Sequence, residues 1–367
     1  MKIGKITLSQ PFALAPMAGM TDTAFRRLVK RRGGCGLVVS EMVSSEGLVR
    51  GIDRTLEYAE YTEEERPVSI QIFGGDPDKM AHAAQIVEGM GADIVDVNMG
   101  CPVPKIAKHN AGCSLMREPA HAQAVVRAMA KAVRIPVTVK MRAGWNEQEI
   151  NAPELARRME DAGAAAVAVH GRTAAQSYSG SSDWDLINHV ASTVGIPVFG
   201  SGDCVEPSDL VRKLDAVHGG AVAGVLVGRG ALRNPWIFEQ AAALARGERP
   251  REITPAERGQ FLLDYIDLLL FERTREAAGF RHVAPTLPSS PAGSEAGIAS
   301  PSGERSATAR GHDRWVINKL RALNSWYTKG LDNGSHLRIR VNAAESVSQL
   351  REIIAEFFEV TSPTYSA

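Results

Sequence analysis

The chain has 367 residues, 44% of them hydrophobic, and sets 42 basic side chains against 42 acidic ones. That length suits one large domain or two, no apolar run is long enough to span a bilayer, and a neutral total does not advertise a polyanionic partner. Met1-Lys2-Ile3-Gly4-Lys5 lacks the apolar stretch of a signal peptide, and Cys35, Cys101, Cys113 and Cys204 show neither a Cys-x-x-Cys pair nor a zinc or disulfide spacing. The expectation is a soluble, cytoplasmic protein with reduced thiols, no metal site, no membrane contact and no stable protein partner.

Taken in order, Phe12 to Ala15 reads as a short apolar strand, and Pro16-Met17-Ala18-Gly19-Met20-Thr21-Asp22 as a turn feeding a helix over Thr23 to Arg32. The cycle then repeats, with strands ending near Ser40, Gln71, Asn98, Lys140, His170, Gly200 and Val227. Amphipathic segments at Pro77 to Glu88, Pro119 to Ala132, Pro153 to Ala162 and Pro207 to Leu214 lie between them, each opening on the Pro favoured at a helix start. Eight apolar strands alternating with helices at roughly 30 residues per unit predict an α/β protein, a (β/α)8 TIM barrel.

Parallel strands end at one mouth, so a barrel gathers its strand-terminal polar residues there. That set is Gln71, Asn98, Lys140, Arg142, His170, Arg172, Ser201, Asp203 and Arg229. It suits an anionic ligand, because Lys and Arg are rarely buried without a partner. The glycine-rich runs Gly200-Ser201-Gly202-Asp203 and Gly228-Arg229-Gly230 follow strands seven and eight, where backbone N–H groups commonly hold phosphate; tight barrel turns alone are the alternative. Asp96-Val97-Asn98-Met99-Gly100-Cys101-Pro102 ends strand four with an amide and a thiol and reads as a catalytic loop. Taken singly, Cys101 is as readily an apolar filler and Asn98 a turn residue.

Charge is unevenly spread. Basic residues cluster at Lys105, Lys108, Arg117, Arg127, Lys131, Arg134, Lys140 and Arg142, again from Arg305 to Arg340, and on the first helix at Arg26, Arg27, Lys30, Arg31 and Arg32. Acid concentrates between Asp53 and Glu65. Each basic cluster alone suits a solvated face; three in a neutral chain point to a nucleic-acid surface.

Domain organisation follows from composition. The barrel is expected over 1–243, a hinge-like stretch over Ala241 to Pro250, and a smaller all-α domain over 251–367. Thr254-Pro255-Ala256-Glu257 is a capping box opening its first helix, and further helices are expected at Asp313 to Lys329 and Glu345 to Val360. Ala284 to Gly303, rich in Pro, Ser, Gly and Ala, reads as a disordered insertion.

Several motifs together resemble the tRNA-dihydrouridine synthases, the bacterial B-type branch above all. They are Ala15-Pro16-Met17-Ala18-Gly19-Met20-Thr21-Asp22, Gln71-Ile72-Phe73-Gly74, Val97-Asn98-Met99-Gly100-Cys101-Pro102, Val139-Lys140-Met141-Arg142-Ala143-Gly144-Trp145, His170-Gly171-Arg172-Thr173 with Gln176 and Tyr178, and Gly228-Arg229-Gly230-Ala231-Leu232-Arg233-Asn234-Pro235-Trp236. The resemblance implies a barrel holding FMN and a helical tRNA-binding domain, with NADPH as hydride donor for reduction of a D-arm uridine. It assigns FMN contacts to Pro16, Met17, Gln71, Lys140, His170, Gly200, Ser201, Gly202, Asp203, Gly228 and Arg229. It turns Asn98, Arg142 and Arg172 toward the uridine and makes Cys101 the acid that protonates C5, a task for a thiol, which is mostly protonated at neutral pH. Ser201 stands where the family usually has Asn, and Lys319-Leu320-Arg321 replaces a usual Arg-Lys-His. The alternatives are an FMN-dependent dehydrogenase of a free pyrimidine and an RNA-binding barrel without redox chemistry.

Overall fold

The computed structural model describes residues 1–107, 110–215, 221–274 and 309–360. Its centre is a closed ring of eight parallel strands, β1 Phe12–Leu14, β2 Leu37–Val39, β3 Val68–Phe73, β4 Ile94–Met99, β5 Val137–Arg142, β6 Ala166–His170, β7 Val198–Ser201 and β8 Gly224–Val227. Helices α1 Thr23–Arg32, α2 Pro77–Gly89, α3 Pro119–Ala132, α4 Ala152–Ala162, α5 Trp184–Thr193, α6 Pro207–Leu214, α7 Arg229–Arg233 and α8 Ile237–Ala245 surround it.

Strand side chains alternate, and here the alternation sorts the chemistry. In β5, Val137, Val139 and Met141 join the outer core, so Thr138, Lys140 and Arg142 take the lumen side. Likewise Val95, Val97 and Met99 of β4 face out, leaving Asp96 and Asn98 inside. The lower lumen is filled by Ala13, Leu37, Ile94, Ala166, Phe199 and Leu226, and Ile3 of the N-terminal hairpin and Leu8 just after it close it. The lumen is therefore apolar below and polar at the mouth.

The helical domain comprises α9 Pro255–Thr274, α10 Ala309–Tyr327, α11 Gly334–Ala343 and α12 Val347–Phe358. The capping box that opens α9 forms both reciprocal bonds, Thr254 N–H to Glu257 at 2.9 Å and Glu257 N–H to Thr254 at 3.2 Å. Phe25 of α1, Trp236, Phe261 and Tyr265 of α9 and Tyr327 of α10 meet edge to face, tilted or stacked, so one hydrophobic core runs through both domains.

Three expectations change. The stretch from Ala241 is helical to Ala245, because Ile237, Phe238, Ala241 and Ala242 form a buried face; the chain is irregular from 246 to 254, with a turn at Gly247. The arginines of the basic run on α1 are paired with carboxylates within the protein. Arg26 lies 2.6 Å from buried Glu65, Arg27 and Arg31 share Glu64, and Arg32 reaches Asp264 at 3.2 Å. The acid segment and the basic helix, set apart by sequence, neutralise one another in space. Helix α11 had no counterpart among the expected elements. Lys108 and the Ala284 to Gly303 insertion lie outside the described residues.

Candidate active site

Strand ends β3 to β8 bring most of the expected polar residues together. Buried Asp96 accepts hydrogen bonds from Gln71 Nε2 at 2.7 Å and Thr138 Oγ1 at 2.6 Å. Gln71 Oε1 in turn accepts from Asn98 Nδ2 at 2.7 Å, and Asn98 Oδ1 accepts from the N–H groups of Gly100 at 3.1 Å and Cys101 at 2.9 Å. A carboxylate only accepts, so Asp96 fixes which way both amides point and thereby the shape of the loop bearing Cys101. Burial pushes the Asp96 carboxyl up, against the two hydrogen bonds and Lys140.

Cys101 is half-buried, and its carbonyl accepts from Cys113 N–H at 3.1 Å. The other three thiols are buried, and burial pushes Cys35 and Cys113 up to about 11 and Cys204 up to about 12. Cys101 is the thiol that reaches the mouth.

Lys140 has no hydrogen-bond or ion-pair partner among the described residues. Burial, then neighbouring Arg142, brings its pKa down to about 8, against the pull of Asp96. His170 is neutral, pushed down to about 2 by burial and by Lys140, Arg142, Arg172 and Arg229 around it. Its Nε2 lies 3.5 Å from Arg172 Nη1, which can only donate, leaving Nδ1 as its donor.

The two arginines expected to face a substrate are largely committed to the protein. Arg142 donates from Nε to Gly100 O at 2.8 Å and from Nη1 to Thr173 O and Ser177 O, both at 3.0 Å, which leaves Nη2. Arg172 is 2% exposed and donates to Ser179 O, Gly180 O and Asp203, the last at 2.8 Å. Asp203, also bonded by Ser182 N–H at 2.7 Å, is held below the usual carboxylate range although burial opposes this. Arg142 and Arg172 thus tie the loops after β4, β6 and β7 to one another.

The glycine loops behave unequally. Gly200 faces the outer layer, where a Cβ would stand 2.3 Å from the Trp184 ring, so helix packing demands that glycine. Gly202, at φ +119°, has Ser182 and His170 against it, and Gly228 lies beside Met17, whose Sδ would be 3.4 Å from a Cβ there. The N–H groups of Gly202, Asp203 and Arg229 have no acceptor within the described protein. Such donors above a neutral imidazole and an unpartnered ammonium fit a phosphorylated aromatic cofactor such as a flavin mononucleotide. Pro16 borders the top of the lumen beside Lys140.

Some contributors escaped the sequence. Asp96 and Thr138 stand two residues before Asn98 and Lys140, on the same strand face, so the alternation itself could have found them. The rim brings Arg142, Tyr178 and Arg229, each already singled out in the sequence, into line with Trp326 and Lys329, a juxtaposition across domains that no spacing signals. Arg142 lies 5.9 Å from the Tyr178 ring centroid, Arg229 4.6 Å from Tyr178 and 5.8 Å from Trp326, and Lys329 3.7 Å from Trp326. Tyr178 is 61% exposed, and neither Arg229 nor Lys329 has a carboxylate partner among the described residues. This line of cations and rings runs from the barrel mouth onto α10 and the turn after it.

Comparison with known proteins fits this geometry. The model of the dihydrouridine synthase family (Dus) matches residues 13–293. A probable tRNA-dihydrouridine synthase of Rickettsia conorii is 35% identical over 97% of this chain and 96% of its own. Another, of Rhodobacter capsulatus, is 43% identical over 73% and 82%, and tRNA-dihydrouridine synthase B of Shewanella oneidensis 40% identical over 73% and 83%. With the family model covering the barrel from β1 onward and relatives aligned nearly end to end, the chain belongs to the dihydrouridine synthase family.

Proposed function

We propose that this protein is a flavin-dependent oxidoreductase, a tRNA-dihydrouridine synthase that binds FMN at the barrel mouth and reduces the C5=C6 bond of a D-arm uridine at the expense of NADPH. The observation that carries this reading is the conjunction at one mouth of an unpartnered ammonium, Lys140, a neutral imidazole, His170, three free backbone N–H groups and one reachable thiol, Cys101.

When bound, the flavin supplies hydride to uracil C6. The chain's own residues do the rest. Lys140, a buried ammonium without an ion-pair partner among the described residues, would supply positive charge to a bound reduced flavin, which is anionic. His170 Nδ1–H and the N–H groups of Gly202, Asp203 and Arg229 would be the donors that hold the cofactor. Cys101 holds the proton that C5 takes up, as a positioned general acid, and the Asp96–Gln71–Asn98 chain keeps its loop in place. Asn98, whose second amide hydrogen has only the weak acceptor Met42 Sδ at 3.9 Å, and Arg142, through Nη2, would donate to the uracil carbonyls.

The ladder through Tyr178, Arg229, Trp326 and Lys329 suits RNA, since cations draw phosphates and rings stack on unpaired bases. No helix among the described residues is long and apolar enough to cross a membrane, and the proposed substrate would locate the enzyme in the cytoplasm. The test is purification with and without added FMN, followed by NADPH turnover with unmodified tRNA or free uracil. Flavin absorbance with turnover on tRNA alone is expected. A colourless protein that ignores FMN ends the redox reading, and preference for free uracil moves it to pyrimidine dehydrogenation.

A further inference from the structure

Lys319 belongs to α10 of the helical domain, yet its ammonium lies in the barrel. It is 2.9 Å from Asp22 Oδ2, 3.3 Å from Gly19 O and 3.6 Å from Glu41 Oε1. All three groups sit on or against the loop between β1 and α1 that carries Pro16 and Met17. Each carboxylate has further duties there. Asp22 Oδ1 accepts from Phe25 N–H at 2.9 Å and so caps α1, while Oδ2 also accepts from Tyr265 of α9 at 2.8 Å. Glu41 Oε2 accepts from Gly19 N–H at 2.5 Å. Within the loop, Met17 N–H donates to Thr21 Oγ1 at 3.0 Å, and Thr21 N–H to Met17 O at 3.1 Å.

Two carboxylates therefore share one ammonium in a nearly dry place, with side-chain exposures of 14% for Asp22, 7% for Glu41 and 17% for Lys319. Burial and the Asp22 charge push Glu41 up, while Lys319 and Gly19 N–H pull it down. Burial works against the Lys319 charge, but Asp22 and Glu41 outweigh it and hold its pKa raised. Without the ammonium, two negative groups would face each other behind the loop, an arrangement that costs far more than an exposed pair does. The loop would relieve it by moving, and the loop is what stands beside Gly228 across the mouth. Lys319 also falls in a basic run that sequence assigns to tRNA, but its charge is already neutralised within the protein.

We propose that Lys319 is a positioning residue through which the helical domain holds the Pro16–Asp22 loop in its cofactor-binding shape, coupling that domain to flavin affinity. This rests on the flavin reading given above. Coupling is reciprocal, so FMN tightens the docking of the helical domain as much as docking tightens FMN.

The test compares the parent with Lys319→Met, Glu41→Gln and the double variant, measuring FMN affinity by fluorescence titration and the salt dependence of tRNA binding. Glutamine at 41 still accepts from Gly19 N–H but no longer needs a counter-ion. Lys319→Met should weaken FMN by about tenfold or more, and the double variant should recover to within about threefold of the parent, as expected for a local coupling. The salt slope of tRNA binding should be the same in all four proteins. If Lys319→Met binds FMN as the parent does, or lowers the salt slope by about one, as loss of a phosphate contact would, the inference is overturned. Should Lys319→Met not stay folded, the double variant decides: folded and FMN-competent supports the inference, equally unfolded overturns it. A parent that ignores FMN overturns the functional reading and this inference with it, whereas equal FMN binding by parent and Lys319→Met overturns the inference alone.

Discussion

Cys101 and Lys140 show what individual residues carry. Cys101 differs from Cys35, Cys113 and Cys204 in reaching the mouth, and as the proposed acid it would give up its proton only once hydride transfer is under way. Cys101→Ala should therefore bind FMN and oxidise NADPH at parental rates while uridine reduction falls by roughly 10²-fold or more. Cys35→Ala and Cys113→Ala should lose little. Stopped-flow reoxidation of the prereduced variants by tRNA checks this, and an equal loss in Cys113→Ala would move the proton donor. Lys140 makes a prediction of opposite signs. Its folded pKa of about 8 lies below the ordinary 10.5, so the folded state carries the full cost of a buried charge below pH 8. Between pH 8 and 10.5 the unfolded chain binds more protons, and stability should rise with pH. Lys140→Met should abolish tight FMN binding yet stabilise the flavin-free protein at neutral pH by roughly 1–3 kcal/mol. Thermal unfolding of both apo proteins from pH 7 to 10.5 should show the difference shrinking; a Lys140→Met protein less stable than the parent at pH 7 contradicts the assignment.

At the scale of elements, strands and loops were legible to different degrees. All eight strands could be read, because buried parallel strands are short β-branched runs and Pro marks the helix starts. Helix α1 and helix α3 appear at their expected bounds. Contacts between elements distant in sequence could not be read. The basic face of α1 looked free because Glu64 and Glu65, its partners, lie more than thirty residues on. Arg172 looked like a ligand-facing cation because its own loop carbonyls and Asp203 close on it only in the fold. The same distinction yields a prediction about RNA. Trp326→Ala and Lys329→Ala, in the rim ladder, should each weaken tRNA binding, the former by about 1–3 kcal/mol if a base stacks there. Arg31→Ala, on neutralised α1, should leave it unchanged. Filter binding at several salt concentrations separates them, and an Arg31→Ala loss matching that of Lys329→Ala would return α1 to the interface.

For the whole molecule, barrel and helical domain share one aromatic core and one buried ion cluster, so ligand and stability should be linked. On the proposed function, FMN would bind only the folded chain and should raise the unfolding temperature in a concentration-dependent way, with a single transition for both domains. Two separate transitions, with only the first shifted by FMN, would contradict the coupling. The most direct test of the central claim is a single turnover. Enzyme loaded with FMN and reduced by NADPH under anaerobic conditions is mixed with unmodified tRNA, and flavin absorbance and dihydrouridine are followed together. Rapid return of the oxidised spectrum, with one dihydrouridine per flavin and none from free uracil, is what the barrel mouth and its rim predict. A reduced flavin that tRNA leaves untouched, or that free uracil reoxidises equally fast, contradicts them.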